Sequence, residues 1–317
     1  MTTDWHGAPV TPLSGGYSGE TFLVGSDPAD QVVLRIYHRA PERAVVDAGL
    51  LRLLRGVLPV ASVLEVRPAS ADEPAVLVTS RLDGTPLDQA LRDHHDTLDL
   101  TALGVSLGET LARLSGVPFG DFGMFVGADL GVSTHGVPSD LTEFARYQRD
   151  NGRIASWRDD DFDALTRLVD LAGDVSDAAE AESLARSVLV HSDFNAKNLL
   201  VHLETSQVCG VLDWEFAHAG SPYADLGNLT RFDREPTLVR STVTTLVERA
   251  PKLAADPLLA GRAADLWALL ELAGRVEPNP VCELATQLLQ AQARSGDLHA
   301  WPWETPRVDP HQAKRVL

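Results

Sequence analysis

An α+β fold, with strands gathered in the N-terminal quarter and helices dominating the rest, is predicted by three features of this sequence. Up to Arg81, short runs rich in β-branched residues alternate with Gly- and Pro-containing turns. From Asp99 to Ser115, Leu100, Leu103, Leu107, Leu111 and Leu114 recur at helical spacing. Between Val188 and Leu212, three brief apolar runs each end in polar residues, as buried strands carrying loops at their ends would.

Taken in order, Leu13–Val24 (LSGGYSGETFLV) reads as a hairpin whose tip holds Gly15, Gly16 and Gly19. Glycines there permit close approach and positive φ, so that backbone N–H groups, with Ser18 among them, are free to face phosphate oxygens. A Gly-rich turn with no ligand is the plainer explanation of the same string. Gln31–Tyr37 (QVVLRIY) reads as a strand carrying one cation, Arg35. Pro41–Gly56 has helical spacing, with Val45, Leu50, Leu51, Leu53 and Leu54 apolar. Val57–Val66 and Ala75–Ser80 supply the remaining strands, and RLDGTP at Arg81–Pro86 breaks the pattern. A boundary follows, with one lobe at 1–81, a hinge near 78–83 and a second lobe at 82–317.

Beyond the Asp99–Ser115 helix, Phe119–Pro138 is rich in Gly and aromatic residues and reads as a long loop or hairpin. Leu141–Asn151 and Asp161–Ala172 have helical patterns, with RDDDFD at Arg158–Asp163 between them. Asp159 and Asp160 in that cluster either answer the positive end of a helix dipole or form an acidic rim for an amine-bearing ligand. Pro236–Ala250, Asp256–Gly274 and Pro280–Ala293 are helical by pattern. Trp267 and Glu271 on the second of these are candidate ligand contacts, and solvated helix faces account equally well for such residues. In the tail, Trp301 and Trp303 either pack down or border a cleft.

The chemistry concentrates between Val188 and Gly227. Val188–Val190, Leu199–Val201 and Val208–Leu212 flank the loops HSDFNAKN and DWEFA. His191, Asp193 and Asn198 form H-x-D-x-x-x-x-N, and Asp213 follows one strand later. Phosphoryl transfer needs a carboxylate to align or deprotonate the attacking hydroxyl, and hard cations to neutralise phosphate oxygens. Asp193 suits the first task. Asn198 and Asp213 suit the second, because Mg²⁺ takes oxygen donors and typically only one or two carboxylates. With Asp193 as base, His191 is read as the hydrogen bonder that orients the loop. Glu215 either assists the metal or solvates the loop. The string DFG at Asp121–Gly123 lies upstream of this loop, the wrong order for a metal-binding DFG.

Composition limits the alternatives. The 317 residues are 44% hydrophobic and 23% charged, and no apolar run approaches the ~20 residues of a membrane span. The N-terminus lacks the basic and apolar segments of a secretory signal, and two cysteines are too few for a disulfide framework, so the cytoplasm is expected. With 27 basic against 45 acidic residues the net charge is −18, which disfavours nucleic acid. The same field draws cationic ligands into any cleft it lines, or serves solubility alone.

HSDFNAKN with DWEFA resembles the loops of the aminoglycoside phosphotransferase and choline kinase family, including antibiotic kinases of the tuberactinomycin type. Its usual H-G-D-x-x-x-x-N departs here only at Ser192, and Asn195 stands where protein kinases carry Lys. The resemblance implies a bilobal protein-kinase-like fold with a small antiparallel-sheet N-lobe and a larger, mainly helical C-lobe. It implies a Mg²⁺-dependent kinase moving the γ-phosphoryl of ATP or GTP to a hydroxyl. Arg35 takes the place of the family's phosphate-binding Lys and Asp47 that of its Glu partner, so these two are expected to pair. Backbone groups around Val78 and Ser80 are expected to receive the purine. Asp225, after SPY, corresponds to an aspartate that braces the catalytic loop. The acceptor expected is a cationic antibiotic, an aminoglycoside or a tuberactinomycin-type peptide. The alternatives are a metabolite kinase for a sugar, choline-like or amino alcohol, and a non-catalytic nucleotide-binding regulator. No obligate protein partner is evident.

Overall fold

In a computed structural model, residues 7–13, 19–135, 140–182 and 187–308 are described. In chain order the elements are β1 (Val10–Leu13), β2 (Gly19–Val24), β3 (Val32–Tyr37), α1 (Arg43–Leu54), β4 (Val63–Arg67), β5 (Ala75–Ser80), β6 (Thr85–Pro86) and α2 (Leu87–Asp93). Then come α3 (Leu100–Ser115), β7 (Gly123–Val126), β8 (Gly131–Ser133), α4 (Leu141–Asn151), α5 (Asp159–Glu182), β9 (Val188–Val190), β10 (Leu199–His202), β11 (Gln207–Val211) and β12 (His218–Gly220). Helices α6 (Ala224–Leu229), α7 (Pro236–Arg249), α8 (Pro257–Ala264), α9 (Leu266–Gly274) and α10 (Pro280–Ser295) complete the chain. The α+β class expected from the sequence is the one observed. The chain forms two compact units.

The first unit comprises Met1–Leu98, Gly123–Ser133 and Ala196–His218. Its main sheet has five antiparallel strands in the order β1-β2-β3-β5-β4. Val24, Val32, Val76 and Val78 pack together on one face with Phe22 and Leu34. Helix α1 lies against β4 and β5 and buries Leu50 and Leu54 completely, which fits the spacing of its leucines. The expected strand at Val57–Val66 starts only at Val63, because a turn closing from Leu54 and the ring of Pro59 occupy the residues before it. The glycine string Gly15, Gly16 and Ser18 lies outside the described residues, and Gly19 opens β2 opposite Tyr37. A second small sheet, β11-β10-β6, belongs to this unit, as does the hairpin of β7 and β8.

The second unit comprises Asp99–Phe122, Thr134–Asn195 and Ala219–Leu317. Asp99 caps α3 by accepting from the backbone N–H groups of Thr101 and Ala102, so the helix starts where the leucine stripe predicts. Helix α3 packs on α7 at Gly104 and Gly108, whose missing side chains allow the backbones to approach: a Cβ at Gly108 would sit 2.5 Å from Thr242 O. A larger core joins α4, α5, α9 and α10 around Leu165, Leu168, Leu269 and Leu288, with Trp301 and Trp303 packed against it. The acidic cluster turns out to be the first turn of α5, which begins at Asp159 rather than Asp161. The helix expected over Asp256–Gly274 is two, α8 and α9, divided at Asp265. No helix of the described residues is long and apolar enough to cross a membrane.

Candidate active site

The candidate catalytic residues His191 and Asp193 belong to the second unit, on a turn built from β9 outward. Backbone bonds from Leu189 N to Val117 O and from Phe119 N to Ser187 O fix β9 beside the segment that follows α3. At the strand's end the chain turns sharply, and Ser192 adopts φ +69°, the left-handed region that glycine enters without strain. That geometry explains why a glycine is usual in the resembling motif and marks Ser192 as a tolerated departure. Asp225, 4% exposed on α6, accepts from His191 N and Ser192 N, each at 2.8 Å. Asn228, one turn further along α6, donates from Nδ2 to Ser192 O at 3.3 Å. The turn is therefore clamped through both its N–H and its C=O groups.

His191 is fully buried, stacks edge-on to Phe194 and accepts the backbone N–H of Asp193 at Nδ1, 3.2 Å away. A ring held in that way shapes the loop. Asn195 donates from Nδ2 to Asp193 Oδ1 at 2.7 Å and turns the carboxylate. The sequence noted Asn195 only for what it is not; its short side chain two residues along a tight loop is the signal that it faces Asp193.

In the first unit, Asn198 and Asp213 stand at adjoining ends of β10 and β11. Leu199 opposes Val211, and Leu212 N donates to Asn198 O at 2.8 Å, so the two residues leave the ladder side by side. Asp213 has φ +61° and a side chain 24% exposed. Its Oδ1 accepts from Arg35 Nη1 at 2.6 Å, and Arg35 Nη2 bonds to Glu215. An amide oxygen and a reachable carboxylate on neighbouring strand ends form a hard donor set of the size Mg²⁺ uses when phosphates and water complete its shell. Among the described residues no group of three or more His, Cys, Asp and Glu side chains forms a self-sufficient cage.

The expected pairing of Arg35 with Asp47 does not form. Asp47, 3% exposed on α1, accepts from Arg43 at 2.9 Å and from Tyr37 Oη at 2.7 Å, while Arg35 turns to Asp213 and Glu215. Arg43 lies four residues before Asp47 on the same helix face and takes one of its oxygens, and Tyr37 at the end of β3 takes the other. Arg43 also donates to Trp214 O at 2.8 Å and so ties α1 to the Asp213 segment. Burial pulls Arg35 down, but Asp213, Tyr37 and Glu215 together hold its guanidinium above the ordinary value. Burial, with Asp47 adjacent, drives the Tyr37 phenol upward as well.

Val78 and Ser80, expected to receive the purine, lie on β5. Val78 lies opposite Leu34 on one side and Glu65 on the other, and Ser80 N donates to Ser62 O. The sheet's own ladder therefore occupies these positions. Of the candidate ligand contacts, Asp159 is held by Arg149, Asp160 by Arg158 and Glu271 by Arg275. Trp267 stacks on Phe144 with ring centroids 5.3 Å apart.

A sequence profile described as Phosphotransferase enzyme family matches residues 9–264. Two curated proteins match over short stretches: Acyl-CoA dehydrogenase family member 10 of Mus musculus, 49% identical over 41 residues, and Acyl-CoA dehydrogenase family member 11 of Gallus gallus, 43% identical over 49. Those stretches are 13% and 16% of this chain, and the matches span only 4% and 6% of the relatives' lengths. Among solved structures, an aminoglycoside phosphotransferase from Ralstonia eutropha JMP134, described as putative in its source, is similar at TM-score 0.65 and 18% identity, covering 91% of each chain. A thermostable mutant of aminoglycoside phosphotransferase APH(4)-Ia, in ternary complex with ADP and hygromycin B, aligns at TM-score 0.54 and 21% identity over 91% of this chain and 88% of its own. A microcompartment-associated aminopropanol kinase aligns at TM-score 0.60 and 20% identity over 92% and 94%. The fold is that of these kinases, and by the match over residues 9–264 the chain belongs to the phosphotransferase enzyme family.

Proposed function

We propose that this protein transfers the γ-phosphoryl group of ATP or GTP to a hydroxyl of a small molecule. The observation that carries this reading is the oriented carboxylate: Asp193 sits on a loop clamped by Asp225 and Asn228, with Asn195 fixing one oxygen. A carboxylate held in this way can align an attacking hydroxyl and accept its proton. Mg²⁺ bound through Asn198 and Asp213 would neutralise phosphate charge. Arg35, placed on Asp213 and Glu215, keeps those acids apart and offers its remaining charge to phosphate oxygens.

A non-catalytic regulator would have no use for so fully braced an Asp193. For the acceptor, the net charge of −18 supports an amine-bearing compound. Hygromycin B in one similar structure favours the cationic antibiotic reading, and the aminopropanol kinase favours an amino alcohol. The acids first considered as an antibiotic rim, Asp159, Asp160 and Glu271, are each already paired with arginine, so that rim is weaker than the sequence suggested. The test is nucleotide consumption with Mg²⁺, using ATP and GTP in parallel, against aminoglycosides, tuberactinomycin peptides and small amino alcohols. Turnover that vanishes in Asp193→Ala supports the reading; turnover undiminished in that variant removes Asp193 as the base.

A further inference from the structure

Asp213 adopts φ +61°, a backbone that a residue with a Cβ holds only where its surroundings fix it. Both of its neighbours are fixed, and every residue involved belongs to the first unit. On one side, Leu212 N donates to Asn198 O at 2.8 Å. On the other, Trp214 is 3% exposed and donates Nε1 to Val211 O at 3.2 Å. Trp214 O accepts twice, from Ala217 N at 2.9 Å and from Arg43 Nη2 at 2.8 Å.

One bond satisfies a carbonyl, and Ala217 already makes it. The effect of the second is on position. A charged donor makes a hydrogen bond roughly twice as strong as a neutral one. It comes here from α1, a helix whose Leu50 and Leu54 are completely buried, so the peptide after Asp213 is referred to a packed element. The same nitrogen meets Asp47 Oδ1 at 2.9 Å, and Tyr37 Oη holds Oδ2, which fixes the guanidinium in turn.

We propose that Arg43 is a positioning residue for the metal donors: through the Trp214 carbonyl it keeps Asp213 in the left-handed turn by which it leaves the strand beside Asn198. This role rests on reading Asn198 and Asp213 as metal ligands. Partners that orient a ligand from behind typically set metal affinity by about 10–100-fold. Charge alone predicts the opposite sign. A guanidinium near a cation site repels the cation, so deleting it would tighten metal binding, whereas loss of position weakens it.

The experiment is Mn²⁺ binding to the full-length chain at a fixed concentration of ADP, followed by electron paramagnetic resonance, with a thermal melt of each variant. Asp213→Ala tests the underlying reading and should weaken Mn²⁺ by about ten-fold or more. Arg43→Met should weaken it about ten-fold. Arg43→Gln keeps a helical partner for Asp47 but is shorter, so it preserves folding and should weaken Mn²⁺ as much. Arg43→Lys restores a charged donor and should recover most of the loss. Tyr37→Phe removes Asp47's other bond, so it should lower Tm and leave Mn²⁺ affinity near wild type, which separates position from stability. Affinity unchanged or tighter in Arg43→Met and Arg43→Gln, or lost equally in Tyr37→Phe, overturns the proposal and leaves Asp213 a ligand. Affinity unchanged in Asp213→Ala removes the metal reading and the proposal with it.

Discussion

Asn195 and Asp193 are joined by a 2.7 Å hydrogen bond from Asn195 Nδ2 to Asp193 Oδ1. An amide in this position orients the carboxylate without adding charge. Replacing it with alanine frees the carboxylate to rotate, and misalignment of a reacting group by about 1 Å costs roughly a hundred-fold in rate. Asn195→Ala is therefore expected to lower kcat by that order with Tm little changed, whereas Asn195→Asp, which sets a like charge beside Asp193, should shift the acid limb of the rate profile upward. Steady-state kinetics across pH decide this; an unchanged kcat in Asn195→Ala would remove the orienting role.

Arg35 separates Asp213 from Glu215, and its loss leaves two acids facing each other. Arg35→Met should cost roughly 2 kcal/mol, in the range of charged hydrogen bonds at part-buried sites, and adding Glu215→Gln should recover a large share. Chemical denaturation of the two single variants and the double variant measures the coupling. Additive losses would mean that the three residues do not act together.

How much of this was legible in the sequence differs from residue to residue. The strands β9, β10 and β11 announced themselves because each is a short β-branched run closed by polar residues, and Asp225 was placed correctly as a brace. Short helices were not visible: α2 and α6 span 7 and 6 residues, too few for a helical period to repeat. The pairing of Arg35 was misread because a sequence shows which ions exist and not which are nearest. Arg43, one helical turn before Asp47, had the spacing to reveal the true partner. The split at Asp265 was hidden because apolar residues run on through both α8 and α9, and it is Asp265's bond to Arg231 that occupies the break.

Tyr37 supplies a pH dependence whose sign can be worked out. Burial and Asp47 raise its phenol above the ordinary 10.0, so the folded state holds this proton more tightly than the unfolded chain. Its stabilising contribution is intact below pH 10 and is lost as pH rises beyond that, where only the unfolded state releases the proton. Tyr37 should ionise together with unfolding. Ultraviolet titration beside circular dichroism tests this: in Tyr37→Phe the decline in stability above pH 10 should flatten, although the variant starts lower for want of the bond to Asp47.

Ser192 at φ +69° predicts opposite effects for two small substitutions. Glycine accepts that backbone freely, so Ser192→Gly should be neutral or stabilise by up to about 1 kcal/mol, while a β-branched valine should destabilise by about 1–3 kcal/mol. Thermal melts give the sign. Valine tolerated as well as glycine would show that the loop does not need the left-handed turn.

Gly227 lies between Asp225 and Asn228, the two residues that clamp the catalytic loop, and its Cα faces the backbone of Gly261 on α8. A Cβ there would come within 2.1 Å of Gly261 O and 2.9 Å of Asp265 Cβ. Backbone cannot swing aside as a side chain can, so α6 must move away from α8 and carry Asp225 with it. Gly227→Ala should therefore cost about 1–3 kcal/mol, as overpacking does, and should depress kcat more than stability alone explains because the clamp shifts. Gly120→Ala, at a site with nothing within 4 Å of the added methyl, is the matched control and should leave both quantities near wild type. Equal behaviour of the two variants would mean that the contact between α6 and α8 does not position the loop, and that the clamp at His191 and Ser192 is set by β9 alone.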